Sequence, residues 1–184
     1  MTDILVLCTA NICRSPMAAA LLSRRLAAAG SDFTVRSAGM LAEGAESPAE
    51  VVAAMATYGI DVSGHHSRLV TAGDLSRADL IVGMTRVHVR HAVVLAPQIW
   101  PRAFTLKELV RRAQIAGART PAEPLRDWLG PVSEDRDRTE LLGDSVEDDV
   151  ADPIGGPPQA YVATAALLDN LAASVVELCW SGRP

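Results

Sequence analysis

A cysteine and an arginine lie six positions apart near the start of the chain, at Cys8 and Arg14. The segment that holds them reads Cys8, Thr9, Ala10, Asn11, Ile12, Cys13, Arg14 and Ser15. A loop of this length can wrap an anion of phosphate size, aim backbone N–H groups at its oxygens and bind two of them with a guanidinium. The same surroundings stabilise a thiolate, the nucleophilic form of cysteine. The spacing therefore predicts a nucleophilic Cys8 inside a phosphate-binding loop, with Ser15 placed to donate a hydrogen bond to the sulfur.

The loop lies between two elements that fix its position. Residues 4–7 form a short apolar run with β-branched members, which is typical of a buried parallel strand. Ser15-Pro16 has the character of a helix start, and the following residues are rich in Ala, Leu and Arg until Gly30. Cys8 is therefore expected at the carboxyl end of the first strand, with the positive end of a helix directly after the loop.

The rest of the chain alternates between strand and helix patterns. Strands are predicted at 33–37, 80–84 and 103–105, and helices at 48–58, 87–95, 106–116 and from 159 onward. This alternation predicts an α/β domain with a mainly parallel sheet, whose ligands bind beyond the carboxyl ends of the strands. We predict a single domain over 1–184, with an irregular acidic excursion at about 118–156.

Composition argues against several classes of protein. The chain has 184 residues, a net charge of −5, and nine acidic residues against two arginines between Glu134 and Asp152; a nucleic-acid binder would carry the opposite sign. Three cysteines are too few for a disulfide-stapled secreted scaffold. No stretch approaches the roughly 18 apolar residues of a membrane span, and the first residues lack a signal-peptide core. We expect a cytoplasmic monomer with no nucleic acid or membrane partner.

At the loop, a family resemblance adds to these expectations. Residues 6–18 resemble the phosphate loop of the low-molecular-weight protein tyrosine phosphatases, which follows the pattern C-x-G-N-I-C-R-S-P. The similarity continues in the family's order through Ser37-Ala38-Gly39, Gly59-Ile60-Asp61 with Ser63-Gly64-His65, Met84-Thr85-Arg86 and Asp152-Pro153. The resemblance implies a three-layer domain with a four-stranded parallel sheet flanked by helices. It also implies a two-step phosphatase with no metal or other cofactor, acting on a phosphotyrosine-containing protein.

The resemblance also implies the roles of individual residues in the reaction. Cys8 attacks phosphorus to form a phosphocysteine, while Arg14 and the loop amides bind the phosphoryl oxygens. Asp152 protonates the leaving phenolate and then takes a proton from the water that hydrolyses the intermediate. Like-charge repulsion from Asp148 and Asp149 is expected to help Asp152 retain its proton.

Other residues are assigned supporting positions by the same resemblance. Asn11 is expected in a left-handed conformation, with Ser37 and His65 hydrogen-bonded to it. Cys13 is a candidate redox partner of Cys8.

Three further histidines are predicted to lie on the surface or on helices: His66, His88 and His91. Because no further ligands fall at a zinc-like spacing, no metal site is predicted.

The chain departs from the family pattern at two places. Ala10 stands where the family has glycine, and if that position requires a positive φ the alanine costs about 1 kcal/mol. Where tyrosine-specific members line the pocket with aromatic residues, this chain has Leu41 and Ile154 as candidate pocket walls. Stacking against a phosphotyrosine ring is therefore expected to be poor.

Three alternatives to a tyrosine phosphatase remain open. An arsenate reductase of related fold needs two resolving thiols, and beyond Cys13 the chain offers only Cys179. Phosphoarginine phosphatases of the same family carry threonine where Ile12 stands. A non-catalytic phosphate-binding module is disfavoured because Cys8, Arg14, Ser15 and Asp152 are all present.

Overall fold

Four parallel strands form one sheet in the order β2-β1-β3-β4. The computed structural model describes residues 1–41 and 43–180. The strands are β1 Thr2–Leu7, β2 Phe33–Ala38, β3 Leu80–Gly83 and β4 Ala103–Thr105. The helices are α1 Arg14–Ala28, α2 Ala49–Ala56, α3 Ala72–Arg77, α4 Arg86–Leu95, α5 Leu106–Ala116, α6 Leu125–Ser133 and α7 Pro158–Trp180. Short 3-10 helices cover Pro97–Arg102 and Arg138–Leu141.

The central strand β1 buries both of its faces, which explains its continuous apolar sequence. Ile4 and Val6 point into one core with residues of α1, α2, α5 and α7. Leu5 and Leu7 point into a second core with residues of α3 and α4. The fold is therefore the three-layer α/β arrangement that the sequence predicts.

Strand register brings the sequence motifs to one edge of the sheet. Leu7 pairs with Ala38 on one side and with Gly83 on the other, and Gly83 pairs with Thr105. The segments that follow β1, β2 and β3 therefore leave the sheet side by side. The loop Cys8–Ser15 lies at this edge.

Helix α7 is long and apolar enough to cross a membrane by length and composition alone, which differs from the sequence expectation that no such stretch exists. Its buried residues Ala165, Leu168 and Ala172 instead belong to the first core. Asp169 on the same helix forms an ion pair with Arg25 of α1 at 2.6 Å. These contacts are those of a core helix.

The segment 118–156 holds α6 and a 3-10 turn between stretches of irregular backbone. It is fastened to the sheet by Arg136, whose side chain is fully buried between the rings of Trp100 and Phe104. The guanidinium donates to Glu108 at 2.7 Å and to the Trp100 carbonyl at 2.8 Å. No local sequence pattern predicts this anchor, because its partners lie 28 to 36 positions away.

Candidate active site

The loop between β1 and α1 closes on the sulfur of Cys8. The Ser15 hydroxyl oxygen lies 3.0 Å from Cys8 Sγ, and the Asn11 backbone N–H donates to the same sulfur at 3.3 Å. Helix α1 begins at Arg14, with Cys13 as its N-cap, so the positive end of the helix lies at the loop. Cys8 is 3% exposed. Two hydrogen-bond donors therefore lie against the buried sulfur.

Asn11 organises the loop. It has a φ of 55°, the left-handed conformation expected there. Its Nδ2 donates to Ser15 Oγ and Ser37 Oγ, each at 2.9 Å, and its carbonyl oxygen accepts from His65 Nε2 at 2.7 Å. Because Ser15 Oγ already accepts from Asn11, its own proton is available to Cys8. The structure thus brings the supporting residues Ser37 and His65 onto the loop.

Ala10 fits the loop without backbone strain. Outside glycine, the described residues with positive φ are Asn11 and Asp135, so the expected cost at Ala10 is absent. The close approach occurs at Gly39 instead. A Cβ on Gly39 would lie 2.9 Å from backbone atoms of Thr9, Ala10 and Asn11. This contact explains why the segment after β2 needs a residue without a side chain.

Arg14 connects the loop to the segment that carries Asp152. Its guanidinium is buried and donates to the Val150 carbonyl at 3.1 Å and to Thr9 Oγ1 at 3.2 Å. It also forms an ion pair with Asp152, 138 positions away. The Asp152 side chain is 43% exposed. The arginine is therefore fixed, while the carboxylate opposite it faces solvent.

The segment before Asp152 is held by its own acidic residues. Asp148 accepts hydrogen bonds from Arg86 and Arg111 at 2.7 and 2.8 Å, and Asp149 accepts from the Arg86 backbone N–H at 2.8 Å. Burial opposes ionisation of Asp148, but the two arginines hold its pKa below the ordinary value. Both acids therefore tether this segment, and the repulsion expected between them and Asp152 stays a prediction.

The remaining predicted residues are placed as follows. Cys13 is buried, and burial, with the negative charges of Asp152 and Cys8, raises its pKa to about 12. It is therefore a neutral thiol at the end of the loop, and its redox role stays a prediction. Ile12 is half-buried. Leu41 and Ile154 are 65% and 46% exposed, so their role as pocket walls also stays a prediction.

His88 is the site residue that the sequence analysis missed. It lies on α4, as predicted, but it is 1% exposed rather than on the surface. Its Nε2 lies 3.0 Å from Thr9 Oγ1. The local signal was the Thr85-to-His88 spacing of a helix capping box. The contact with Thr9 spans 79 positions and left no pattern in the sequence.

The described residues contain no cluster of candidate metal ligands. Within residues 1–41 and 43–180, no three His, Cys, Asp or Glu side chains group together as ligands for an ion.

Known proteins resemble this chain in sequence. The family model described as low molecular weight phosphotyrosine protein phosphatase matches residues 3–127. The chain is 33% identical to the low molecular weight protein-tyrosine-phosphatase Etp of Escherichia coli K12 over 115 residues, which is 61% of this chain and 74% of the relative. It is 29% identical to a protein-arginine-phosphatase of Geobacillus stearothermophilus over 175 residues, 95% of this chain and 93% of the relative.

Solved structures extend the similarity beyond residue 127. A low molecular weight protein tyrosine phosphatase from T. tengcongensis superimposes with a TM-score of 0.74 at 31% identity, covering 96% of this chain and 99% of its own. The YwlE arginine phosphatase from Geobacillus stearothermophilus superimposes with a TM-score of 0.72 at 28% identity, covering 96% and 92%. The shared fold thus includes most of the segment that carries Asp152.

Proposed function

Because the chain belongs to the low molecular weight phosphotyrosine protein phosphatase family, we propose that it hydrolyses phosphotyrosine in proteins through a phosphocysteine on Cys8. The family makes it a cysteine-dependent phosphatase, a hydrolase of phosphomonoesters with phosphoprotein substrates. One observation carries the proposal to this residue: Cys8 Sγ has two hydrogen-bond donors and lies in the same loop as the buried guanidinium of Arg14.

In the first step, the Cys8 thiolate attacks phosphorus. A bond forms between sulfur and phosphorus while the bond between phosphorus and the ester oxygen breaks. The charge on the three equatorial oxygens is stabilised by Arg14 and by the backbone amides of residues 9–15. Ser15 stabilises the thiolate before attack and again when sulfur leaves in the second step.

Asp152 is the general acid and general base of the proposed reaction. Its carboxylate pairs with Arg14, so a phosphoryl group that binds Arg14 replaces it, and the released carboxylate takes a proton from solvent and faces the departing oxygen. Protonated Asp152 gives its proton to that oxygen, and the resulting carboxylate then accepts a proton from the water that attacks phosphocysteine. The exposed position of Asp152 supports this exchange of partners.

Phosphoarginine is a second candidate substrate. The relative named protein-arginine-phosphatase aligns over 95% of this chain, whereas the alignment with the tyrosine phosphatase Etp covers 61%. The loop residue Ile12 argues against it, because phosphoarginine phosphatases of the family carry threonine there. We therefore place phosphotyrosine first and test both.

An arsenate reductase relay is disfavoured by the position of Cys179. That thiol is 1% exposed, and burial raises its pKa far above the ordinary value. It borders the same cavity as Met1, which precedes β1, and Phe33, the first residue of β2. Cys8 follows the opposite end of β1, so a disulfide between the two thiols would require a large rearrangement.

The proposal is tested with three substrates: 4-nitrophenyl phosphate, a phosphotyrosyl peptide and a phosphoarginyl peptide. Cys8→Ala should abolish turnover of every substrate. Asp152→Asn should slow the phosphotyrosyl peptide about 10²-fold or more while sparing 4-nitrophenyl phosphate, because a good leaving group needs little protonation. The matched control is Asp144→Asn, an exposed acid of the same segment, which should behave as wild type. An inactive wild type, or an active Cys8→Ala, would contradict the proposal.

A further inference from the structure

His88 contacts the phosphate loop from an element that the proposed mechanism does not use. It is buried in the first turn of α4, with its Nε2 3.0 Å from Thr9 Oγ1. Room for this contact comes from Gly83 at the end of β3. A Cβ there would lie 2.8 Å from Val89 Cγ2 and 3.2 Å from His88 Cβ. The glycine thus lets α4 approach the sheet closely enough to reach the loop.

The hydrogen bonds of His88 fix where its proton lies. The Thr85 backbone N–H, which can only donate, points at His88 Nδ1 at 2.9 Å. Nδ1 is therefore an acceptor, and the proton of the neutral ring is on Nε2. Burial, together with the charges of Arg14 and His91, lowers the pKa of His88 to about 3. At neutral pH the ring is uncharged and donates from Nε2 to Thr9.

Thr9 Oγ1 then receives two hydrogen bonds. The second comes from Arg14 Nη2 at 3.2 Å, the same nitrogen that donates to Asp152. A hydroxyl oxygen that accepts from two donors still has its own proton to give. That proton lies beside the guanidinium that binds phosphoryl oxygens in the proposed reaction.

We propose that His88 is a positioning residue of the phosphatase reaction: its bond to Thr9 fixes the Thr9 hydroxyl, which steadies Arg14 and donates its own proton to a phosphoryl oxygen. This inference rests on the proposed function. His88 itself exchanges no proton with substrate, since its only proton on Nε2 is given to Thr9 and its Nδ1 is occupied by Thr85. It acts on the reaction through the hydroxyl alone.

Two substitutions separate the contact with Thr9 from the capping of α4. Asn at position 88 places an acceptor near Nδ1 and retains the cap, but it is too short to reach Thr9. Gln places an amide N–H near Nε2 and can restore the donor. His88→Asn should therefore lower kcat/KM for 4-nitrophenyl phosphate about tenfold, as expected for one lost hydrogen bond, and His88→Gln should recover most of it. His91→Gln, one turn further along α4, is the matched control and should have no effect.

Thr9 completes the test. Thr9→Val should cost about as much as His88→Asn, Thr9→Ser should be close to wild type, and the double variant Thr9→Val with His88→Asn should be no slower than Thr9→Val alone. The limbs of the pH profile of kcat/KM should be the same in His88→Asn as in wild type. Additive losses, a lost limb, or wild-type kinetics in a folded His88→Asn protein would each overturn the inference.

Binding of inorganic phosphate separates this inference from the proposed function. By calorimetry, His88→Asn and Thr9→Val should weaken phosphate binding severalfold, and His88→Gln should restore it, whether or not the protein turns over an ester. If the wild type has no phosphatase activity, the proposed function fails while this measurement still decides the role of His88. Unchanged phosphate binding in both variants would overturn that role.

Discussion

Two buried arginines, Arg14 and Arg136, stand in different relations to their partners. The Arg136 side chain is fully buried and donates to Glu108 and to backbone carbonyls, with aromatic rings on its faces. Arg14 is nearly as buried, but its carboxylate partner Asp152 is 43% exposed. The partners of Arg136 are buried with it, whereas the carboxylate that pairs with Arg14 is exposed and can be exchanged for another anion.

The contrast distinguishes a structural arginine from a functional one. Removing the partner of a buried charge is costly because the charge is left without compensation. A site for an anionic substrate therefore needs a partner that solvent can reach and that the substrate can replace. For Arg14 and Arg136, the difference lies in the exposure of the counter-ion and not in the burial of the arginine.

The largest expected effect is on the Arg14 side of the comparison. Arg14→Met should lower kcat/KM for 4-nitrophenyl phosphate by about 10³-fold or more, because the charge that stabilises the phosphoryl oxygens is lost. The free energy of unfolding, measured with urea, should fall by only about 1 kcal/mol, because the pair with the exposed Asp152 contributes little and the main loss is the hydrogen bond to the Val150 carbonyl. A strong loss of stability with normal turnover would reverse the assignment.

The opposite pattern is expected for Arg136. Arg136→Met leaves Glu108 buried without its main partner, so the free energy of unfolding should fall by about 3 kcal/mol. Turnover by the folded fraction should stay at the wild-type level. Arg138→Met is the control, because that exposed side chain also lies near the ring of Trp100, and it should cost less than about 0.5 kcal/mol. Equal costs in the two variants would show that Arg136 is no anchor.

Gly39 tests how closely the sheet edge must approach the loop. Gly39→Ala puts a methyl group within 2.9 Å of loop backbone, and we expect a destabilisation of about 1–3 kcal/mol from overpacking with reduced kcat/KM. Gly130→Ala in α6 meets no atom within 4 Å and should be neutral or stabilising by up to about 1 kcal/mol. A Gly39→Ala protein with wild-type stability and turnover would show that the loop tolerates displacement.

The smallest expected effect is the pH dependence of the free energy of unfolding that comes from His88. The pKa of His88 is about 3 in the folded protein and near 6.5 when unfolded, so the unfolded chain takes up a proton first as the pH falls below 6.5. Stability from this residue is therefore complete at pH 7 and lost toward pH 3. In urea unfolding at pH 7, 6 and 5, the advantage of wild type over His88→Gln should shrink by about 1 kcal/mol per unit below pH 6. A constant difference would contradict a buried neutral His88.

Local patterns predicted the elements well where sequence neighbours decide the structure. Strand β4 and helix α5 have the predicted bounds, because a buried run and the closing Gly117 are local signals. Helix α1 starts at Arg14, earlier than predicted, and the six-residue α3 was missed although Thr71 and Asp74 form a capping box. Short elements of this kind bury few residues, which leaves little periodicity to detect.

The same distinction between local and distant contacts applies to the candidate site. The loop residues Cys8 to Ser15 could be named from spacing, and Asp152 only from the family resemblance. His88 and Arg136 could not be named, because their contacts depend on how distant elements pack. The condition for strain at Ala10, a positive φ, is not met, and the tight contact at Gly39 could not be predicted because it depends on packing across the sheet edge.

The central claim is that Cys8 accepts the phosphoryl group. Wild-type protein turning over 4-nitrophenyl phosphate should be quenched in acid within the first turnovers and its peptides analysed by mass spectrometry. The account predicts one phosphoryl group per chain on Cys8, absent from Cys8→Ala. A phosphoryl group on another residue, or turnover with none on the protein at any quench time, would contradict it.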